Sequence, residues 1–318
     1  MVSLEKQPEV KKALLTTFGV DNFENIKQLT KGLSGALVFK VMVHQRPYVL
    51  RIITRAETRD KPSYYFDCLR TAATAGLAPA VHYLNVEDRI SITDFIETEY
   101  FPIRDARIKM ISAIKTLHNL PKFVHRLDFV DASDTFLRRF RESKMVPGNA
   151  MNHIFELYHR IANVYPRSDR ANLVSSHNDV KPDNIIYDGS RPWLVDWEAA
   201  RLNDRYVDLA SIANFLVGDE SNEMEILARY FGKTPNEYQR ARFFLMRQIV
   251  HMFCFTLCTI VAAAGKSIDM SRKIEGFNEF HEHLWHCRID LADNDAGWCI
   301  FANWRKTCCL IASRNHFV

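Results

Sequence analysis

Three polar residues in the middle of the chain have the types and the spacing needed for phosphoryl transfer. Asp179 lies in a short polar segment, Asn184 follows it five residues later, and Asp196 ends an apolar stretch. Mg²⁺ takes few protein ligands and prefers oxygen, so the Asn184 amide and the Asp196 carboxylate suit it. Asp179 then serves as the general base that accepts a hydroxyl proton. Lys181 lies two residues further on, where its ammonium can reach the transferred phosphate.

The surrounding residues predict a hairpin that brings the two metal ligands together. Residues 185–187 and 193–195 read as short strands, and Asp188-Gly189-Ser190 supplies the turn between them. Asn184 and Asp196 therefore open and close one local element. The alternative is that these polar residues only cap turns and end a strand.

A longer segment carries a resemblance to a known family. Residues 174–215 resemble the catalytic core of the aminoglycoside phosphotransferase and choline kinase superfamily, whose fold is similar to that of protein kinases. Within it, Asp196-Trp197-Glu198-Ala199-Ala200 followed by Asp208-Leu209-Ala210 is most similar to the choline and ethanolamine kinase branch. The resemblance implies an enzyme that uses ATP and Mg²⁺ to phosphorylate an alcohol.

The resemblance also implies a role for each motif residue. Asp179 is the catalytic base, Asn184 and Asp196 are metal ligands, and His177 supports the loop. Asp208 braces this loop through backbone hydrogen bonds. The alternative for Asp208 is that it caps a helix over residues 209–217.

The beginning of the chain should supply the nucleotide-binding lobe. The segment 31–36 resembles the phosphate-covering loop of the family, with Gly32, Ser34 and Gly35 as its binding residues. Residues 38–43 and 48–53 predict two strands around a turn. Arg51 occupies the position where protein kinases have a lysine on their third strand, and its guanidinium can bridge two phosphate groups.

A helix and a hinge are expected next. The pattern over residues 63–75 predicts a helix that stops at Gly76, and Asp67 is its best-placed acid to pair with Arg51. Residues 90–96 then alternate like a strand and resemble the hinge between lobes. The resemblance implies that backbone groups from Asp94 to Ile96 bind the adenine edge.

These elements predict an α+β, protein-kinase-like fold of two lobes. A small antiparallel sheet lobe covers residues 1–97, and a larger, mainly helical lobe with the catalytic loop and the acceptor site covers residues 98–318. The most apolar segment, 249–265, is about 17 residues long and includes polar side chains, so we expect a buried helix rather than a membrane span, which needs about 20 residues.

Composition is compatible with this interpretation. Of the 318 residues, 47% are hydrophobic and 25% are charged. The net charge of +4 is small for this length, so we expect no binding to nucleic acid. The basic run at 138–141 is therefore expected to be a solvated helix face. Seven cysteines form no disulfide pattern, which favours a reducing compartment. The first residues lack the apolar core of a secretion signal, so we expect a cytoplasmic protein.

The sequence leaves the acceptor open between two classes of small molecule. A quaternary ammonium such as choline needs aromatic faces, and Trp197 with Glu198 adjoins a metal ligand and is our candidate acceptor contact. Further aromatic residues occur in the tail at Trp285, Trp298, Phe301 and Trp304. An aminoglycoside instead needs several acids, which the tail offers between Glu275 and Asp295.

A function of another class is a nucleotide-binding interaction module that has lost catalysis. That hypothesis predicts that Asp179, Asn184 or Asp196 is replaced by another residue type, and all three are present. Protein kinase activity is disfavoured because no long activation segment separates Asp196 from Asp208. The sequence contains no information on oligomeric state.

Overall fold

The structure is a computed structural model that describes residues 6–29, 36–54, 63–145, 151–167, 169–217 and 220–263. Two compact units are present. Of the described residues, the first comprises those up to Phe101 together with Asn184–Ala200, and the second comprises those of Pro102–Asp183 and those from Arg201 onward.

An antiparallel sheet of five strands, in the order β1-β2-β3-β5-β4, is the framework of the first unit. The strands are β1 (Asn25–Gln28), β2 (Ala36–Val43), β3 (Arg46–Ile53), β4 (Val81–Asn85) and β5 (Ile90–Asp94). His44 and Gln45 join β2 to β3, and their φ angles of 50° and 61° are the left-handed values that a two-residue type I′ turn requires. The strands predicted at 38–43 and 48–53 are confirmed.

The core of this unit lies between one face of the sheet and helix α1 (Gln7–Phe18). Its buried members are Val10, Ala13, Leu14, Phe39, Val41, Val43, Leu50, Ile52, Ile90 and Ile92. Side chains alternate along a strand, so Leu50 and Ile52 join this core while Arg51 points to the opposite face of the sheet.

Helix α2 (Ser63–Thr74) and a short hairpin complete the first unit. The predicted helix and its glycine stop are confirmed, because Gly76 has a φ of 71°. The hairpin consists of β7 (Ile185–Tyr187) and β8 (Pro192–Leu194). Its backbone is tied to this unit by hydrogen bonds of 2.8 Å from Leu194 N to Leu77 O and 2.7 Å from Glu99 N to Tyr187 O.

These hydrogen bonds give the hairpin a different assignment from the one expected. The sequence predicts residues 184–200 to belong to the C-terminal lobe, whereas the structure groups them with the first unit. The lobe boundary after residue 97 stays a prediction.

The second unit is mainly helical. Its helices are α3 (Ile103–His118), α4 (Phe129–Glu142), α5 (Asn152–Val164), α6 (Arg205–Leu216), α7 (Glu220–Phe231) and α8 (Glu237–Ala263). One antiparallel pair of strands, β6 (Leu173–Ser176) and β9 (Arg201–Asp204), accompanies them. The predicted α+β class, with a small antiparallel sheet followed by a mainly helical C-terminal region, is confirmed.

Helix α8 is central to this unit because α4, α5 and α6 all pack against it. Ile249, Met252 and Phe255 are at most 1% exposed, which confirms the expected buried helix within the apolar segment. None of the helices in the described part of the chain is long and apolar enough to cross a membrane. In α4, Arg138, Arg139 and Arg141 are exposed, as expected for a solvated face.

Candidate active site

The loop that carries Asp179 is held by one buried carboxylate. Strand β6 ends at Ser176, and the next two backbone N–H groups, of His177 and Asn178, donate to the two carboxylate oxygens of Asp208 at 2.9 and 2.8 Å. Asp208 lies in the first turn of α6 and is fully buried. The bracing hydrogen bonds predicted for Asp208 are therefore confirmed. The N-cap alternative is wrong, because Asp204 caps α6 by accepting from Tyr206 N at 3.0 Å.

Asp208 is itself oriented by two further buried residues. His118, at the end of α3, approaches it with Nε2 at 3.1 Å, and the other ring nitrogen lies 2.7 Å from the hydroxyl of Tyr230 in α7. Burial alone would raise the pKa of Asp208, but the hydrogen bond and charge of His118, followed by His177, bring this pKa below its usual value. Residues of three helices thus fix the position of the loop that carries Asp179.

The backbone turns sharply just before Asp179. Asn178 has a φ of 65°, a left-handed value that asparagine tolerates better than most residues. Its side-chain oxygen accepts a hydrogen bond of 2.7 Å from Asn203 in β9, which holds this conformation. Beyond the turn, Lys181 Nζ lies 3.2 Å from Asp179 Oδ2, so the candidate base has a cation beside it.

We expect Asp208→Asn to destabilise the protein by about 3 kcal/mol, because it breaks a buried charged network. An asparagine has one oxygen for these donors, and its amide group would face a backbone N–H. Urea unfolding measures the change in the free energy of unfolding.

Asp105→Asn is the matched control for this substitution. Asp105 also lies in the first turn of its helix, α3, but it is exposed. Both substitutions lose the favourable charge at a helix N-terminus, worth less than about 1 kcal/mol at an exposed site. Equal losses of stability in the two variants would show that the hydrogen bonds to Asp208 contribute nothing.

The predicted hairpin brackets the two candidate metal ligands. Asn184 closes a 3₁₀ turn, is 4% exposed, and accepts a backbone hydrogen bond of 3.0 Å from Val195. Asp196 follows directly and adopts a left-handed conformation with φ 62°. The backbone thus brings Asn184 and the residue before Asp196 together, as the sequence predicted.

The turn of this hairpin is fixed by Asp188. One of its oxygens accepts the backbone N–H groups of Ser190 and Arg191, and the other accepts the indole N–H of Trp193 at 2.7 Å. Burial would raise the pKa of Asp188, but these hydrogen bonds hold it well below its usual value. The hairpin is therefore locally rigid.

Arg51 meets the end of this hairpin within the first unit. Its Nη2 donates to Asp196 Oδ1 at 2.9 Å and also pairs with Glu198. Burial would lower the pKa of Arg51, but the charges of Asp196 and Glu198 outweigh it and raise this pKa. One guanidinium thus connects β3 to two carboxylates.

The structure does not pair Arg51 with Asp67. Helix α2 buries Tyr65, Phe66, Cys68 and Ala72, and this periodicity leaves Asp67 on the exposed side. Among the described residues, no ion pair joins Arg51 to Asp67. Glu198 is the partner that the sequence analysis missed, although its place two residues after Asp196 was a usable signal.

The hinge candidates lie at the end of β5. The backbone N–H of Asp94 donates to Ala80 at 2.9 Å, and its carboxylate lies 2.6 Å from Nε2 of His82. The backbone of Ile96 makes no hydrogen bond with another described residue. Ile96 is therefore the better candidate for the adenine edge.

The remaining candidates give no contact that points to a ligand. Trp197 is 2% exposed and its indole N–H donates to Leu194 O at 3.0 Å, while Glu198 is paired with Arg51. Their acceptor-binding role stays a prediction. Three loop residues, Gly32, Ser34 and Gly35, lie outside the described residues, as do the aromatic and acidic candidates of the tail.

Similarity to known sequences points to one family. The model of the family described as "Phosphotransferase enzyme family" matches residues 25–244. Protein LicA from Haemophilus influenzae (strain ATCC 51907 / DSM 11121 / KW20 / Rd) is 31% identical over 80 residues. This match covers 24% of the chain and only 30% of LicA.

Solved structures share the fold over most of the chain. A choline/ethanolamine kinase family protein from Mesorhizobium loti superposes with a TM-score of 0.62 at 19% identity, covering 95% of this chain and 99% of that one. Choline kinase LicA from Streptococcus pneumoniae gives 0.60 at 15% identity, with coverages of 91% and 99%. A streptomycin–ATP complex of APH(2")-IIa gives 0.58 at 16% identity, with coverages of 79% and 90%.

These similarities confirm the kinase-like fold. Because the family model covers more than half of the chain, the protein belongs to the phosphotransferase enzyme family.

Proposed function

We propose that this protein is an ATP-dependent small-molecule kinase that transfers the γ-phosphoryl group to the hydroxyl of an amino alcohol such as choline or ethanolamine. The observation that carries the proposal is the braced loop of Asp179 followed by the hairpin that ends at Asp196, within a phosphotransferase family sequence. This combination supplies a general base and oxygen ligands for a metal.

The donor set fits Mg²⁺. Asn184 has an amide oxygen, Asp196 has a carboxylate, and both are hard oxygen ligands of the kind that this ion prefers. When bound, Mg²⁺ would neutralise charge on the nucleotide phosphates. Arg51 adds a partly buried guanidinium, paired with Asp196, that can bind phosphate oxygens.

The protein residues then divide the remaining work. Asp179 accepts the proton of the acceptor hydroxyl as the new O–P bond forms and the bond between the γ-phosphorus and the bridging oxygen breaks, so that ADP leaves. Lys181 offers a positive charge to the transferred group. His177 and Asn178 position this base through Asp208. The backbone of Asp94 to Ile96 and the loop with Gly32, Ser34 and Gly35 complete the proposed nucleotide contacts.

The motif Asp196-Trp197-Glu198 supports an amino alcohol as the acceptor. It resembles the choline and ethanolamine kinase branch, and two of the similar structures are named as a choline/ethanolamine kinase family protein and a choline kinase. The second candidate is an aminoglycoside. A streptomycin–ATP complex and a spectinomycin phosphotransferase, APH(9)-Ia, share the fold and support that alternative.

A panel of acceptors tests the proposed function. We expect choline or ethanolamine to stimulate ADP release in the presence of ATP and Mg²⁺, and streptomycin and spectinomycin to leave it at the background rate. Stimulation by the aminoglycosides alone would select the second candidate. No stimulation by any alcohol would favour the interaction module.

A further inference from the structure

Tyr65 in α2 carries a polar group for which the described residues supply no hydrogen-bond partner. The residue is 8% exposed, and its buried hydroxyl makes no hydrogen bond within the described part of the chain. A buried hydroxyl without a partner lowers stability, because its hydration is lost and nothing replaces it. A phenylalanine would fill the same space without this cost, so the hydroxyl calls for another explanation.

The position of Tyr65 connects it to the end of the hairpin. Helix α2 packs against the 3₁₀ turn Trp197–Ala199, which contains Glu198. Cys68 lies three residues after Tyr65 and therefore on the same side of α2, and its thiol is 3.8 Å from the carbonyl oxygen of Ala200. The side of α2 that includes Tyr65 is thus the side that meets this turn.

The charged residues that act on Tyr65 include Arg51 and Asp196, which belong to the proposed nucleotide site. Burial is the main cause that raises the pKa of Tyr65, Arg51 acts against it, and Glu198 and Asp196 add to it. Besides the Tyr65 hydroxyl, a second donor is unsatisfied: the buried Nε of Arg51 has no hydrogen-bond partner among the described residues. Two buried donors beside the same pair of carboxylates need an acceptor that the described chain does not supply.

We propose that Tyr65 is a further nucleotide-binding residue whose hydroxyl donates to a phosphate oxygen of the bound nucleoside triphosphate. The inference rests on the proposed function. A phosphate oxygen is the acceptor that suits both groups, since Arg Nε–H can only donate and a hydroxyl bonds most strongly to an anion.

Tyr65→Phe separates this role from packing. We expect the Kd for ATP with Mg²⁺ to rise about 10-fold, the effect of losing a hydrogen bond to a charged group. The Kd for adenosine stays unchanged, because adenosine has no phosphate. The Tm of the protein without nucleotide rises by about 2 °C, because the substitution removes an unsatisfied group.

Tyr158→Phe is the matched control. Its hydroxyl is also in a buried residue, but it donates to Asp134 at 2.8 Å, in the second unit. This variant loses a hydrogen bond, so its Tm falls while its Kd for ATP equals that of the wild type.

The outcomes distinguish the two proposals. A wild-type protein that binds no ATP overturns the proposed function and this inference with it. A wild-type protein that binds ATP while Tyr65→Phe binds it equally well overturns only the role of Tyr65. An equal loss of adenosine affinity, or a lower Tm in Tyr65→Phe, also overturns it, because the hydroxyl would then serve packing or a bond within the protein.

Discussion

Asp179→Asn lowers kcat by about 10²- to 10⁴-fold, the range of general base catalysis, and leaves the Kd for ATP unchanged. The amide has nearly the shape of the carboxylate but cannot accept the acceptor proton. The loop itself should keep its place, because Asp208 holds it through the backbone of His177 and Asn178 rather than through Asp179. Steady-state kinetics with the best acceptor and calorimetry with ATP measure the two quantities.

Asp183→Asn is the control for this prediction. It makes the same chemical change four residues later in the chain, at an exposed side chain. We expect its kcat to remain within about twofold of the wild type, since the exposed Asp183 side chain makes no hydrogen bond or ion pair with another described residue. If Asp183→Asn and Asp179→Asn had the same kcat, Asp179 would not be the base.

Asp196→Asn raises the Mg²⁺ concentration needed for half-maximal activity at least about 10-fold and lowers kcat about 10²-fold. The amide is a weaker ligand for a hard cation than the carboxylate, and a metal ion contributes several kcal/mol of charge stabilisation. A 10²-fold loss corresponds to about 2.7 kcal/mol of that contribution. A titration of activity with Mg²⁺ at saturating ATP gives both values.

Asp21→Asn controls for the loss of one negative charge in the same unit. Asp21 is exposed and its carboxylate lies 3.0 Å from Lys11, a surface ion pair of the kind that contributes little. Its Mg²⁺ dependence should match that of the wild type. An Asp196→Asn enzyme with the wild-type Mg²⁺ dependence would show that this carboxylate is not a metal ligand.

Local elements of the fold and site could be predicted from the sequence. The hairpin 185–194 and the turn between β2 and β3 join strands that are neighbours in the chain, so the apolar stretches on either side were sufficient to predict them. The helix stop at Gly76 depends on one glycine with a left-handed conformation. The amide of Asn184 and the carboxylate of Asp196 at the two ends of the hairpin followed from the same local pattern.

Contacts between distant segments could not be predicted in this way. Arg51 and its partner Glu198 are 147 residues apart, and only the packed structure decides which acid reaches the guanidinium. Asp67 was chosen because it lies on the expected helix, but the buried side of α2 is set by Tyr65, Cys68 and Ala72. The cap of α6 likewise depends on where β9 ends, which favours Asp204 over Asp208.

Asp196 and Glu198 share the guanidinium of Arg51, so the fold should tolerate substitutions at either acid that lower catalytic activity. If either Asp196 or Glu198 is replaced, the other still compensates the charge of Arg51, so this partly buried cation keeps an acidic partner. Variants at these two positions should therefore reach normal cellular levels as folded proteins even where their turnover is reduced. The cellular level of the protein will therefore not reveal a loss of activity at this end of the hairpin. Selection at these positions must act through catalysis itself.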